Sequence, residues 1–199
     1  GLIGILKNVN NMEFLTKADV DGTKEIPTML YNSEWIKVID INGWAAVEEK
    51  EAVVCIPYLK ETGRILMRYE EIPPFKLKNP NIEKYVTVMS ETMEDGEEPI
   101  DTLRRGLKEE FGIELNQSVQ PEILMPIFCN KGSTKRYHIC ILPLMSYDFN
   151  QEEPTTDGSD AEKKAQNVAL QLNEVDKVII YDLITRYCIE IFKTHYSLF

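Results

Sequence analysis

Several residue types are scarce in this 199-residue chain, and each scarcity removes a class of function. There are two histidines and four cysteines. His138 and His195 are too few for a histidine-rich metal centre, and Cys55, Cys129, Cys140 and Cys188 form no Cys-x-x-Cys pair. That spacing argues against zinc frames and disulfide scaffolds, and predicts buried free thiols in a reducing, cytoplasmic setting. Positive charge is also short: 22 Lys and Arg face 33 Asp and Glu, a formal net charge of −11. Such a surface repels nucleic-acid phosphate and anionic lipid, so neither nucleic acid nor membrane is expected as a partner. No apolar run approaches the roughly 18 residues that cross a bilayer. The opening stretch from Gly1 to Lys7 is apolar but short, and does not read as a signal peptide.

What is present is an ordinary globular composition, 43% hydrophobic and 28% charged, enough for one well-filled core. Residues 1–33 show no firm period and read as an N-terminal arm, leaving 34–199 as a single domain. That domain opens with a β-hairpin extension over 34–48. Trp35–Asp40 and Trp44–Glu48 are the two strands, and Asn42-Gly43 is the turn pair between them. Ala52–Tyr58 suits a buried strand, and Arg64–Tyr69 follows after a turn at Glu61-Thr62-Gly63. The three prolines within 72–81 predict a loop, and Tyr85–Met89 predicts another strand.

A helix starts near Pro99, where Ile100, Leu103, Leu107 and Phe111 recur every three or four residues, and Gly112 stops it. Ile123–Phe128 and Tyr137–Leu142 read as two further strands. Residues 148–166 read as a long acidic loop, and a helix closes the chain within 173–196. The mixture predicts an α+β domain with a mixed β-sheet packed between helices.

The segment from Glu91 to Ile113 carries the chemistry. On a helix, residues three and four apart share a face, so Glu109 and Glu110 stand one turn beyond position 106. Adjacent carboxylates near a helix C-terminus oppose the helix dipole, and a bound Mg²⁺, which prefers oxygen ligands, removes that penalty.

This segment resembles the Nudix box, G-x5-E-x7-R-E-U-x-E-E-x-G-U, where U is a bulky aliphatic residue. Glu97, Arg105, Leu107, Glu109, Glu110, Gly112 and Ile113 occupy seven of its nine defining positions without a gap. Two positions depart: Glu91 stands where the box begins with Gly, and Gly106 stands where it has the glutamate after the arginine. The resemblance covers roughly residues 44–195 and is strongest to the ADP-ribose and nucleoside-diphosphate-sugar pyrophosphatases. It implies the Nudix fold and a pyrophosphohydrolase that cleaves the diphosphate of a nucleoside-diphosphate-linked small molecule, such as ADP-ribose, with Mg²⁺ or Mn²⁺. It implies that Glu109 and Glu110 hold metal and that Arg105 pairs with Glu97 to brace the loop.

The resemblance also implies that the N-terminal extension helps build a homodimer and stacks the base. Trp35, Trp44 and Tyr69 are the candidate aromatics, with Arg68 and Arg64 as candidate phosphate ligands. The carboxylate missing at Gly106 has possible substitutes in Glu94, Asp95 and Glu98, and in Glu152, Glu153, Asp157, Asp160 and Glu162 of the acidic loop. The alternative reading is a Nudix-fold nucleotide-binding or regulatory protein whose hydrolysis is impaired, because Gly106 replaces a box glutamate.

Overall fold

The computed structural model describes residues 28–34, 36–155 and 164–196. Trp35, most of the predicted arm and residues 156–163 of the acidic loop, with Asp157, Asp160 and Glu162, lie outside them.

The N-terminal extension is a three-stranded antiparallel sheet, β1 (Thr28–Asn32), β2 (Lys37–Ile41) and β3 (Trp44–Glu48), in that order. Asn42 and Gly43 both adopt positive φ (53° and 84°), as a two-residue type I′ hairpin turn requires. The sequence reading had two strands here. The third, β1, is exposed at every position, so it carries no alternating signal of burial. Val47 and Thr134 join this sheet to the body through the amide of Val47 on the Gly132 carbonyl and that of Thr134 on the Val47 carbonyl.

The body is an eight-stranded mixed sheet. Its main path runs β10 (Ile127–Phe128), β11 (Arg136–Leu144), β4 (Ala52–Leu59), β5 (Arg64–Glu70), β13 (Gln166–Gln171). Three short strands pair alongside: β6 (Tyr85–Thr87) on β5, β7 (Met89–Thr92) on β4 and β9 (Glu122–Ile123) on β11. Strands β4 and β11 are parallel, while the other pairs are antiparallel. The central strand β4 is buried on both faces, which explains its unbroken apolar run. Val53 and Cys55 join a core with Leu103, Leu107 and Phe111, while Val54 and Ile56 join one with Cys188, Ile189 and Phe192. One face is therefore covered by α2 (Pro99–Phe111) and the other by α4 (Leu183–His195).

Several expectations are corrected. The proline-rich stretch contains a single helical turn, α1 (Pro73–Lys76), because a proline at the first helical position has its φ already set. The strand expected over 85–89 is two strands, β6 and β7, that pair with different neighbours. The strand expected over 123–128 is broken into β9 and β10 around Pro126, which has no amide to donate. The acidic loop contributes β12 (Phe149–Gln151), which pairs with β8 (Ile113–Leu115), and it gives way to β13. A short helix α3 (Leu172–Val175) precedes α4.

Candidate functional site

Helix α2 places the acids. Pro99 starts it, and Gly112 ends it in the left-handed conformation (φ 66°), with its amide on the Leu107 and Lys108 carbonyls. Thr102, Leu103, Gly106, Leu107 and Phe111 form the buried face. The side chains of Arg105, Glu109 and Glu110 leave along its border.

Arg105 is the hub. Its Nε donates to Glu97 Oε1 (3.2 Å) and its Nη2 to Glu97 Oε2 (3.0 Å), so Glu97 is held in a fork. Nη2 also donates to the Thr92 carbonyl (2.8 Å), Nη1 reaches Glu91 Oε1 at 2.6 Å, and Glu109 Oε2 lies 3.7 Å from Nη1. The fully buried Thr102 hydroxyl donates to Glu97 Oε2 (2.7 Å), as does the Glu94 amide (2.9 Å). These bonds, led by those from Arg105, hold the Glu97 carboxyl down at about 2. Burial has the opposite effect on Glu91 and raises its carboxyl above the usual range, with Glu109 and Glu97 adding repulsion and Arg105 offsetting part of it.

Glu110 turns elsewhere. Its Oε2 lies 3.2 Å from Arg68 Nε on β5, and both groups are nearly buried. Arg68 Nη1 also donates to the Glu110 carbonyl (3.2 Å) and to Asn167 Oδ1 on β13, while Asn167 Nδ2 donates to the same carbonyl (2.9 Å). Arg68 and Asn167 thus satisfy a helix C-terminal carbonyl that no backbone amide of α2 reaches. The two adjacent glutamates expected to work together are each tied to a different arginine.

Gly106 sits at the closest approach of α2 to β7. A Cβ at this position would lie 2.9 Å from Glu91 Cβ, 3.1 Å from its Cγ and 3.4 Å from its Oε2. The two departures from the box are therefore in contact.

The remaining sequence candidates fall outside this cluster. Trp44 is 61% exposed at the start of β3, beside Phe128, Asn130, Lys131 and Ser133, and no carboxylate of α2 is among its neighbours. Tyr69 is part-exposed on β5, with the Lys84 ammonium 5.6 Å from its ring centre. Of the proposed substitute acids, Asp95 pairs at the surface with Lys50 (3.2 Å), and the Glu152 backbone pairs with Gly112. His138 pairs with Glu51, which Arg136 also engages. Sequence reasoning missed Asn167, which lies on β13, a strand it did not predict. It also missed the contacts of Glu91 with Arg105 and with position 106, although its coincidence with the loss at Gly106 was a usable signal.

Glu91, Glu97 and Glu109 face one guanidinium, leaving two negative charges in excess, with oxygen as the only donor type. In charge and donor chemistry this suits Mg²⁺ or Mn²⁺. As arranged, no three His, Cys, Asp or Glu side chains among the described residues converge to hold an ion, since the arginines engage the acids.

No protein-family model matches the sequence, and no curated protein matches it. Solved structures do match. One is the crystal structure of an ADP compounds hydrolase, at TM-score 0.60 and 15% identity, over 88% of this chain and 97% of that one. The fold is the Nudix fold. At that identity the likeness concerns backbone architecture alone.

Proposed function

We propose that the chain is a divalent-metal-dependent pyrophosphohydrolase acting on a nucleoside-diphosphate-linked small molecule of the ADP-ribose kind. One observation carries this reading. Between β7 and α2 of a Nudix fold, Arg105 gathers Glu91, Glu97 and Glu109 in a part-buried cluster with more carboxylates than cations. In the reaction, water adds to one phosphorus of the P–O–P bridge, and the bridging oxygen leaves with the other phosphate, giving two monophosphates.

Glu109 and Glu110 are the residues proposed to hold the metal. When bound, Mg²⁺ or Mn²⁺ supplies polarisation of the diphosphate oxygens. The Glu97–Arg105 fork fixes the loop before α2 to the helix, and Arg68 with Asn167 orients the Glu110 end. This makes Arg68 a positioning residue, and Tyr69, beside Lys84, the candidate platform for a base. Trp44 and the exposed β1 residues Met29, Leu30 and Tyr31 are assigned to a homodimer contact, which sedimentation would test.

The test is release of monophosphates from ADP-ribose, nucleotide sugars and dinucleoside polyphosphates with Mg²⁺ or Mn²⁺. Glu109→Gln is the control because, unlike a change at Glu110, it unpairs no buried arginine. Metal-dependent turnover that falls by about 100-fold or more in the variant supports the reading. Binding of these compounds without turnover supports the second reading, a nucleotide-binding Nudix fold, which Gly106 in place of a box glutamate favours.

A further inference from the structure

Within the hydrolase reading, on which this inference rests, the box lacks one carboxylate at position 106 and one glycine at position 91. Those two positions touch. Strand β7 runs beside β4 with Glu91 opposite Val53, and Met89, two residues earlier on the same face, packs against Leu103 and Leu107 of α2. Glu91 therefore points toward the helix, and it meets it at Gly106. With a Cβ at 106 only 2.9 Å from that of Glu91, the structure has room for one side chain there and not two. A glycine on the strand admits a side chain from the helix, and a glycine on the helix admits one from the strand.

The carboxylate that arrives from the strand also faces the right group. Glu91 Oε1 lies 2.6 Å from Arg105 Nη1, the nitrogen that Glu109 Oε2 approaches at 3.7 Å. Glu97 engages Nε and Nη2 and the Thr92 carbonyl takes a further proton of Nη2, so with Glu91 and Glu109 beside Nη1 three carboxylates share one guanidinium. A nearly buried extra acid costs free energy unless a cation answers it.

We infer that Glu91 and Gly106 are a reciprocal exchange: strand β7 supplies, through Glu91, the metal-directed carboxylate that the Nudix pattern takes from the helix at position 106. The acid cluster thus keeps its number of carboxylates while the residue that bears one of them has moved. It follows that Gly106→Glu alone does not repair the site. It forces a second glutamate into space that Glu91 fills.

The experiment is Mn²⁺ binding, followed by electron paramagnetic resonance or calorimetry with the metal alone. Four proteins are compared: wild type, Glu91→Gln, Gly106→Glu and the double variant Glu91→Gly/Gly106→Glu. Circular dichroism and thermal melting of each report whether it is folded. The exchange predicts that Glu91→Gln stays folded and binds Mn²⁺ at least about tenfold more weakly. It predicts that Gly106→Glu melts below wild type, and that the double variant recovers both melting temperature and Mn²⁺ affinity to within a few-fold of wild type. Wild-type affinity in Glu91→Gln overturns the inference. So does a double variant that binds Mn²⁺ no better than Glu91→Gln, or a wild type that binds none.

Should Gly106→Glu fail to fold, Glu91→Gln and the double variant still decide. The two readings fail separately. Mn²⁺ affinity that follows the exchange, with no diphosphate hydrolysed by wild type, sinks the hydrolase and leaves the exchange. Hydrolysis with full Mn²⁺ affinity in Glu91→Gln does the reverse.

Discussion

Arg105 and Glu97 form the most strongly connected pair at the site, and their neighbours give the cleanest single-residue tests. Thr102 is fully buried and gives its hydroxyl proton to Glu97. Thr102→Val keeps the shape and loses a hydrogen bond to a charged group, so chemical denaturation should show a loss of about 1.5–3 kcal/mol. The pH dependence of Glu97 has a defined sign. Its carboxyl is held at about 2 in the fold against an ordinary 4.5. The stability this contributes is fully present above 4.5 and is lost as pH falls toward 2. Wild type should therefore melt above Glu97→Gln at neutral pH, and the gap between them should narrow across that acid window. A gap that is constant with pH would contradict the ion-pair origin.

The ends and contacts of α2 decide the site at the scale of elements. Gly112 has φ 66°, and a Cβ there would lie 1.9 Å from the Glu152 carbonyl oxygen. Gly112→Ala meets both backbone strain and a backbone clash, and a loss of more than about 1 kcal/mol is expected in denaturant melts. Gly106 offers a closer contest. Replacing a helical glycine with alanine gains about 1 kcal/mol in propensity. The new methyl would meet Glu91 Cβ at 2.9 Å, and a Cβ attached to a paired strand cannot swing aside. Packing should win, so Gly106→Ala should melt below wild type, and Glu91→Gly should remove that penalty. At the other end of the helix, Arg68→Met removes the guanidinium that pairs with Glu110 and engages its carbonyl and Asn167, and denaturant melts should show a loss of stability.

Across the whole molecule, the cysteines follow the two-layer core. Cys55, Cys140 and Cys188 are buried on one face or the other of the central sheet, and all four thiols are free. Burial pushes the Cys188 thiol up to about 12 and raises that of Cys55 well above its usual value. Native protein should therefore be alkylated quickly at one thiol, the part-exposed Cys129, and at the other three only after unfolding. Mass spectrometry after brief iodoacetamide treatment checks this. The same layering explains which strands were legible. β4, buried on both faces, and β5, with Ile65 and Met67 inward, carry strong patterns. β1 is exposed at every position, and β13 turns only Val168 and Leu170 toward the core, so both carry weak patterns.

Local chemistry alone determined a good deal. The span of α2 was written by Pro99, the spaced leucines and Gly112, since helix starts, faces and stops depend on residues within a few positions of each other. The Asn42-Gly43 turn and the Arg105–Glu97 pair were legible for the same reason, being short-range or carried by a motif of fixed spacing. Tertiary structure decided the rest. Adjacent in sequence, Glu109 and Glu110 point about 100° apart around a helix, and the elements packed there sent one toward Arg105 and the other to Arg68. Glu91 and Gly106 are separated by a loop and half a helix, and as letters each counted only as a departure from the pattern. Their contact exists because β7 pairs with β4 and α2 packs across both, a placement fixed by long-range burial.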